Sequence, residues 1–485
     1  MRATFSRLLA GVYAGSALAS TSAGSPYQYN QDHGDDHDIQ DVITRDVAII
    51  GGGSAGTYAA ISLRRLNHSV VVVEKKGRLG GHTETYHDPV TQTPIDIGVV
   101  LFDDIDVVKD YFAYFNVPLT KTIVGSDPAN EYVDLQTGKL LAGYQPPSAA
   151  AVGAALQAYG AELAKYPYLA SSLNLPDPVP SDLYNSFGDF VHKYKLENVT
   201  QTLAGLAQGY GDVLSIPALY LLKVDGPGVV QGLQNGFLTT VRQDNSEIYE
   251  KATAALGSDA LLNSTVVWTN RDKDSTGYIT LVVQTPDGKK KIRAKQLVVA
   301  IPPLLRSLSP LDLADRESSL FRQFTHSNYY TGILRNSGLP PNISVSNIGA
   351  NTPYNLPVLP GSYAFYPTGV PDLTNVKYGS PDGVALSDEE VQANILKELT
   401  RLRETGAVNF TTPAGTQPTF AVYSNHSPFA LKVNKEAIKA GFYRSLYGLQ
   451  GFKNTWWTGA AWNVHDSGLI WQFTQGVVAE LVKQL

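Results

Sequence analysis

Val47-Ala48-Ile49-Ile50-Gly51-Gly52-Gly53-Ser54-Ala55-Gly56 reads as a short buried strand running straight into a glycine-rich turn. Four consecutive apolar residues suit a parallel strand covered on both faces. The turn contains Gly-x-Gly-x-x-Gly, and helix-compatible residues follow from Thr57 to Leu66. A second apolar run, Val70 to Val73, then ends in Glu74. Each part has a physical role in holding a dinucleotide. Gly51 permits the tight turn, Gly53 lets the backbone approach a pyrophosphate, and Gly56 lets helix and strand pack closely. The free N–H groups at the helix start, around Ser54 and Ala55, present partial positive charge to the phosphates. Glu74 is placed to accept hydrogen bonds from the ribose hydroxyls. In a chain with 43 Gly among 485 residues the three-glycine pattern alone is weak. Strand, turn, helix, strand and acid in unbroken order between Val47 and Glu74 form a specific signal.

The rest of the composition sets bounds on this reading. The length fits two or three ordinary domains, and 43% hydrophobic residues can fill a large core. With 38 Lys and Arg against 44 Asp and Glu, the net charge of −6 argues against nucleic acid as the main partner. There is no cysteine, which excludes disulfides, a Cys-ligated metal, a catalytic thiol and a cysteine-tethered cofactor. Arg2 and Arg7 precede a mostly apolar stretch, Leu8 to Ala19, that closes on Ala17-Leu18-Ala19. That pattern predicts a secretory signal over 1–19, cleaved after Ala19 and too short to span a bilayer. Residues 20–44 read as an acidic linker, and their Asp32-to-Asp38 run as a solvated stretch rather than a metal site. Beside a signal peptide, the sequons at Asn67, Asn198, Asn263, Asn342, Asn409 and Asn425 predict a glycoprotein. A secreted or secretory-pathway protein without stable membrane insertion is the expectation, and no metal site is read from the sequence.

Further along, residues 145–235 look mainly helical, with Ser148 after Pro146-Pro147 as an N-cap. Residues 262–300 return to strand character around a Pro286-Asp287-Gly288 turn, and Lys289-Lys290-Lys291 reads as a solvated hairpin tip. The apolar residues Leu469, Ile470, Phe473, Val477, Leu481 and Leu485 recur at helical spacing, with Asp466 or Ser467 as the cap.

After Glu74 comes Lys75-Lys76-Gly77-Arg78-Leu79-Gly80-Gly81-His82, which resembles the acid-x-x-x-Arg-x-Gly-Gly signature of the flavin amine oxidase superfamily. Asp96-Ile97-Gly98 and Leu297 to Pro302 are similar to that family's next strand and its late strand ending in Pro. The resemblance implies FAD as cofactor. Arg78 and the Gly80-Gly81 pair would lie along it, Lys75 and His82 beside it, and Val266 would contact adenine through its backbone. It implies an α/β fold in which a Rossmann-like FAD-binding domain is interleaved with a mixed α+β substrate domain. The corresponding segments are 45–115, 236–305 and 446–485 for FAD, and a helical part, 116–235, with 306–445 for substrate. At the C-terminal flavin motif the family's Gly-Glu is Gly459-Ala460, which weakens the match to a standard amine oxidase. A helix starting near Asp466 would place its positive end by the flavin's electron-accepting edge.

Gln208-Gly209-Tyr210-Gly211 with Ile216 to Tyr220, and the later run His426, Gly441-Phe442-Tyr443 and Leu449-Gln450-Gly451, resemble the bacterial polyunsaturated fatty acid isomerase. With its signal sequence the chain looks most like the fungal β-cyclopiazonate dehydrogenase family. That resemblance implies an oxidoreductase of secondary metabolism. Such an enzyme takes a hydride from an activated C–H of a small apolar natural product, with oxidative cyclisation as a possible sequel, and passes electrons to oxygen or another acceptor. A redox-neutral double-bond isomerase of an unsaturated lipid and an amine oxidase are the alternatives. Tyr210 and His426 are the catalytic candidates, and Phe237, Tyr443, Trp457 and Trp462 are further pocket candidates.

Overall fold

The computed structural model describes residues 39, 41–124 and 129–485, so the stretch read as a signal sequence and most of the stretch read as an acidic linker lie outside the described residues. Residues 40–485 form a unit built on two large sheets. The first sheet gathers strands from three distant parts of the chain. These are β1 (Val42–Ile50), β2 (Val70–Val73), β9 (Ala260–Leu261), β10 (Thr265–Asn270), β11 (Ile279–Thr285), β12 (Gly288–Val299) and β19 (Thr455–Trp457). Its centre is parallel: β1 lies between β12 and β2, and β19 pairs in parallel with β12. Val47 to Ile49 and Val70 to Val72 have no accessible surface, as continuous apolar runs covered on both faces require. The helices Ser54–Arg65 and Ser467–Val482 cover one side together. The result is a Rossmann-like α/β layer.

The second sheet contains β6 (Ala129–Asp134), β7 (Lys139–Leu140), β13 (Thr325–Arg335), β14 (Ile343–Asn347), β15 (Gly361–Pro367), β16 (Leu373–Ser380), β17 (Thr419–Asn425) and β18 (Phe429–Lys432). On one of its faces Tyr330, Val376, Tyr378 and Phe365 pack against the helix Asp388–Thr405. Two separate antiparallel pairs complete the strands: β3 (Thr85–His87) with β4 (Pro94–Asp96), and β5 (Leu119–Thr122) with β8 (Phe237–Thr240). The helical stretch, opened by Ala149–Leu163 with Ser148 accepting from the Ala151 N–H as its cap, shares one core with residues of both sheets.

Three local expectations are corrected. β1 begins at Val42, inside the stretch read as linker, because Val42 to Arg45 pair with Lys291 to Ala294. The Lys289-Lys290-Lys291 run is not a loose tip. Thr285 pairs directly with Gly288, so the turn holds only Pro286 and Asp287 and the lysines belong to β12, where Lys290 pairs with Asp41. The part 116–235 is helical only in its later portion, since β6 and β7 join the second sheet.

Candidate functional site

The glycine turn takes the geometry that its spacing demands. Gly51 has φ +98°, in the left-handed region, and an added Cβ would meet Ile301 Cγ2 at 2.6 Å. At Gly56 an added Cβ would overlap the Gly51 carbonyl oxygen. Gly53 differs from both: the nearest atom to an added Cβ is Gly81 Cα at 3.7 Å, so this position opens onto free space. Glu74 holds the turn with both oxygens, accepting from the Gly52 N–H at 2.7 Å and the Lys76 N–H at 2.8 Å.

Two helix N-termini meet here. The Ser54 hydroxyl, at the start of the first helix, lies 3.1 Å from that of Ser467, at the start of the last one, and accepts from Trp471 Nε1 at 2.9 Å. Asp466 caps the last helix by accepting from the Leu469 N–H at 2.7 Å, and burial pushes its carboxyl pKa up. The first helix has no side-chain cap, and its unpaired amides together with the aligned dipoles of both helices favour an anion between them.

The Gly80-Gly81-His82 segment forms the third wall. Gly80 bridges to Gly53, and an added Cβ at Gly81 would stand 2.9 Å from Gly53 Cα, so only glycine permits the two backbones to lie this close. Arg78 staples the segment by donating to the Leu79, Thr83 and Gly81 carbonyls at 2.9–3.1 Å and pairing with Glu84. Lys76 reaches Glu84 at 2.8 Å, whereas Lys75 is exposed. Val266 is half-buried on β10, two residues after Ser264, whose N–H donates to the Glu74 carbonyl at 2.9 Å. Gly459 has φ +111° and lies by Ala300, next to the turn. The cradle of small residues and paired helix starts fits the pyrophosphate and ribityl parts of a flavin dinucleotide.

Beyond His82 the wall becomes aromatic. The His82 ring stacks on His426 at 4.5 Å and lies 6.0 Å from His465, while Phe429 stacks on His465 at 3.9 Å. Tyr210 meets Phe429 and His465 edge-on at 6.2 and 6.3 Å, and Tyr329 lies 6.1 Å from His426. Tyr210 and His426 are therefore drawn to one wall, from chain positions more than 200 residues apart. Burial pushes all three imidazoles toward neutrality, His465 down to about 3. His465 Nε2 accepts from the Ala430 N–H at 2.9 Å, so its proton sits on Nδ1. His426 Nε2 has no hydrogen-bond partner and lies 3.9 Å from Glu84.

Among the other pocket candidates, Trp457, Trp462 and Phe237 belong elsewhere. Trp457 and Trp462 stack on each other at 5.7 Å in the core, and Phe237 packs its ring on Gly232 without a ring contact to the histidine wall. Tyr443 donates to the Tyr220 hydroxyl at 3.0 Å beside a small cavity that Ala460 and His465 also line. Glu84, Tyr329 and Phe429 were not singled out from the sequence. Glu84 follows the glycine pair by three residues, but nothing local links it to His426, 342 positions on.

Comparison with known proteins agrees with this geometry. Residues 49–115 match a family described as an NAD(P)-binding Rossmann-like domain. The chain is 40% identical over 464 residues to the FAD-dependent oxidoreductase oblC of Cochliobolus heterostrophus, covering 94% of each protein. It is 33% identical over 449 residues to the β-cyclopiazonate dehydrogenase of Aspergillus oryzae, covering 92% of this chain and 94% of that one. Among solved structures, the CLA-producing fatty acid isomerase of P. acnes superposes with a TM-score of 0.71 at 21% identity. That match covers 90% of this chain and 98% of the isomerase.

Proposed function

The chain belongs to a fungal family of FAD-dependent oxidoreductases, and on that premise we propose that it removes a hydride from an activated C–H of a small apolar natural product of secondary metabolism. FAD, when bound, supplies the hydride acceptor. Gly53, Ser54, Ala55, Gly80, Gly81 and Gly459, with the helix starts at Ser54 and Ser467, would hold it, and Glu74 would take the ribose. The observation that carries the reading is the wall of His82, His426, His465, Phe429, Tyr210 and Tyr329 continuous with that cradle. Neutral stacked rings exclude water and orient an apolar carbon skeleton without supplying a nucleophile. His426 is the proton acceptor of the proposal: its Nε2 makes no hydrogen bond, and Glu84, 3.9 Å from that atom, is near enough to stabilise the imidazolium that forms.

The purified protein is expected to be yellow, and an oxidisable substrate should bleach the flavin anaerobically, with oxygen or another acceptor restoring it. Product formed with no electrons passed to any acceptor would replace the proposal with an isomerase. A panel of allylic, benzylic and amine-adjacent C–H compounds that leaves the bound flavin oxidised would sink it. His426→Gln should lower the rate of flavin bleaching about 100-fold or more while leaving FAD content unchanged, the scale of a lost general base. An unchanged bleaching rate would remove His426 from the mechanism.

We also propose that the protein travels the secretory pathway and is glycosylated. All six sequon asparagines are exposed, including Asn67 and Asn263, which adjoin the cofactor segments. Among the described residues, no helix is long and apolar enough to cross a membrane. Protein secreted by a fungal host should shift in gel mobility after peptide N-glycosidase treatment. Intracellular, unshifted protein would refute the assignment.

A further inference from the structure

The second sheet presents one face to the helix Asp388–Thr405, and its other face looks toward the flavin-binding layer. On β16 the residues of that second face are Asn375, Lys377 and Gly379, alternating with Val376 and Tyr378 in the helix-covered core. Their neighbours on β13 are Thr331 opposite Lys377 and Tyr329 opposite Gly379. Contacts confirm the direction. Asn375 Nδ2 donates to the Asp96 carbonyl of β4 at 3.4 Å, and an added Cβ at Gly379 would collide with the Tyr363 ring. Tyr363 lies 6.3 Å from Tyr329, which lies 6.1 Å from His426. Lys377 therefore shares its face with the wall that continues to His82.

Lys377, Tyr363, His82 and His465 have a property in common. Each keeps part of its surface accessible, yet burial pushes each away from its charged form: Lys377 down to about 8, Tyr363 up to about 12. Accessible surface combined with strong desolvation is what the lining of an internal recess would show.

Three interior lysines have lowered pKa values, and only one of them lacks partners. Lys432 bonds the Ala430 carbonyl at 3.0 Å and Asp382 at 3.0 Å, and Lys223 bonds the Leu169 carbonyl at 2.6 Å. The Lys377 ammonium has no hydrogen bond or ion pair among the described residues. Its nearest opposite charge in effect is Asp96, which is engaged by the Thr85 hydroxyl at 2.6 Å and the Asn245 N–H at 3.1 Å. Burial also raises the Asp96 carboxyl to about 7, so it neutralises the lysine incompletely. Beside Lys377, the Thr331 hydroxyl and the Asn375 Oδ1 are buried without partners. The ammonium and the hydroxyl are donors on one face that the free acceptor beside them, Asn375 Oδ1, does not satisfy.

We propose that Lys377 binds an acidic oxygen of the substrate, a carboxylate or the anion of an ionised enol, with Thr331 as the second donor. The apolar skeleton would then lie along Tyr329, Tyr363 and His426. This rests on the reading of the recess as the substrate chamber. It makes the enzyme selective for acids over their neutral analogues.

The test uses the FAD-loaded protein and three acid–amide pairs as probes: benzoate and benzamide, cinnamate and cinnamamide, octanoate and octanamide. Binding is read from perturbation of the flavin spectrum and by calorimetry. The wild type should bind at least one acid about 10-fold or more tighter than its amide. Lys377→Met should weaken that acid about 10- to 100-fold, the span for a lost charge-assisted bond, and leave the amide within about twofold. Lys377→Arg should keep the acid preference. FAD content should stay at the wild-type level, and the ligand-free melting temperature of Lys377→Met should not fall, because an unpartnered buried charge has been removed. Acid binding unchanged in Lys377→Met and in Lys377→Gln overturns the role of the lysine while leaving the chamber in place. Loss of FAD, or a melting temperature lowered by several degrees, would assign the lysine to the cofactor or to an ion pair with Asp96, and also overturns it. If none of the six probes binds or perturbs the flavin, the reading of the recess itself fails.

Discussion

Gly53→Asp protein is expected to fold normally and to purify colourless. The two halves of that result have separate causes. Gly53 sits at φ −70°, ψ −171°, an extended conformation open to any residue, and immediately precedes the helix Ser54–Arg65. Aspartate is a favoured residue at a helix N-cap, and the nearest atom to its Cβ would be 3.7 Å away. Stability should therefore match or slightly exceed the wild type. The new carboxylate, however, would lie over the helix-start amides that the pyrophosphate needs, and a like charge there costs several kcal/mol. About 3 kcal/mol is already about 100-fold in affinity. FAD titration of apoprotein followed by tryptophan fluorescence should show at least that loss, with an unchanged urea midpoint. Gly56→Val is the contrasting control. Its side chain would overlap the Gly51 carbonyl, so the fold and the cofactor should fail together. A yellow Gly53→Asp protein would remove the cofactor from this turn.

The contrast also shows which parts of the molecule were legible in the chain. Gly51, Gly53 and Gly56 act within one turn, and Glu74 ends the next strand of the same unit, so spacing alone separates turn, open position and close contact. The same holds for Ser148 and Asp466, whose capping bonds reach only three residues ahead. The recess is different. Whether Lys377 or Tyr378 faces it depends on pairing with Thr331 and Tyr330, and a shift of one residue would reverse the two. His82, His426 and His465 likewise meet only because the loop after β2, the segment after β17 and the approach to the last helix converge. Aromatic identity was a poor guide for the same reason. Trp457 and Trp462 are as apolar as any pocket lining, and tertiary placement puts them in the core. β1 escaped notice over Val42 to Arg45 because half of that stretch is exposed and half is polar, and only its pairing with β12 makes it strand.

The second large effect lies away from the recess, at Arg271. Its side chain has no accessible surface and is held on every side. It donates to Glu317 at 2.7 and 2.8 Å, to Asp312 at 2.9 Å and to the Asp312 carbonyl at 2.8 Å. Its own carbonyl accepts from Asn454 Nδ2 at 2.9 Å, and its Nη1 reaches the Thr455 hydroxyl at 3.3 Å. Arg271 thus ties the end of β10 to the start of β19, the strand that delivers Gly459 to the cofactor cradle. In Arg271→Met, Asp312 would keep Lys453 at 2.7 Å and Thr269 at 2.9 Å. Fully buried Glu317 would keep only the Ala314 N–H at 2.9 Å. Breaking a buried pair on one side costs about 3–5 kcal/mol, whereas replacing both partners by apolar residues is often close to neutral. Arg271→Met should therefore lower the urea midpoint sharply and loosen FAD as β19 loses its anchor. The double variant Arg271→Met/Glu317→Leu should recover at least half of the lost stability at an unchanged m-value. Equal destabilisation of the single and double variants would mean that Arg271 acts through shape and not through its pairing with Glu317. A single variant within about 1 kcal/mol of the wild type would mean that the network is solvated in solution, since exposed ion pairs contribute no more than that.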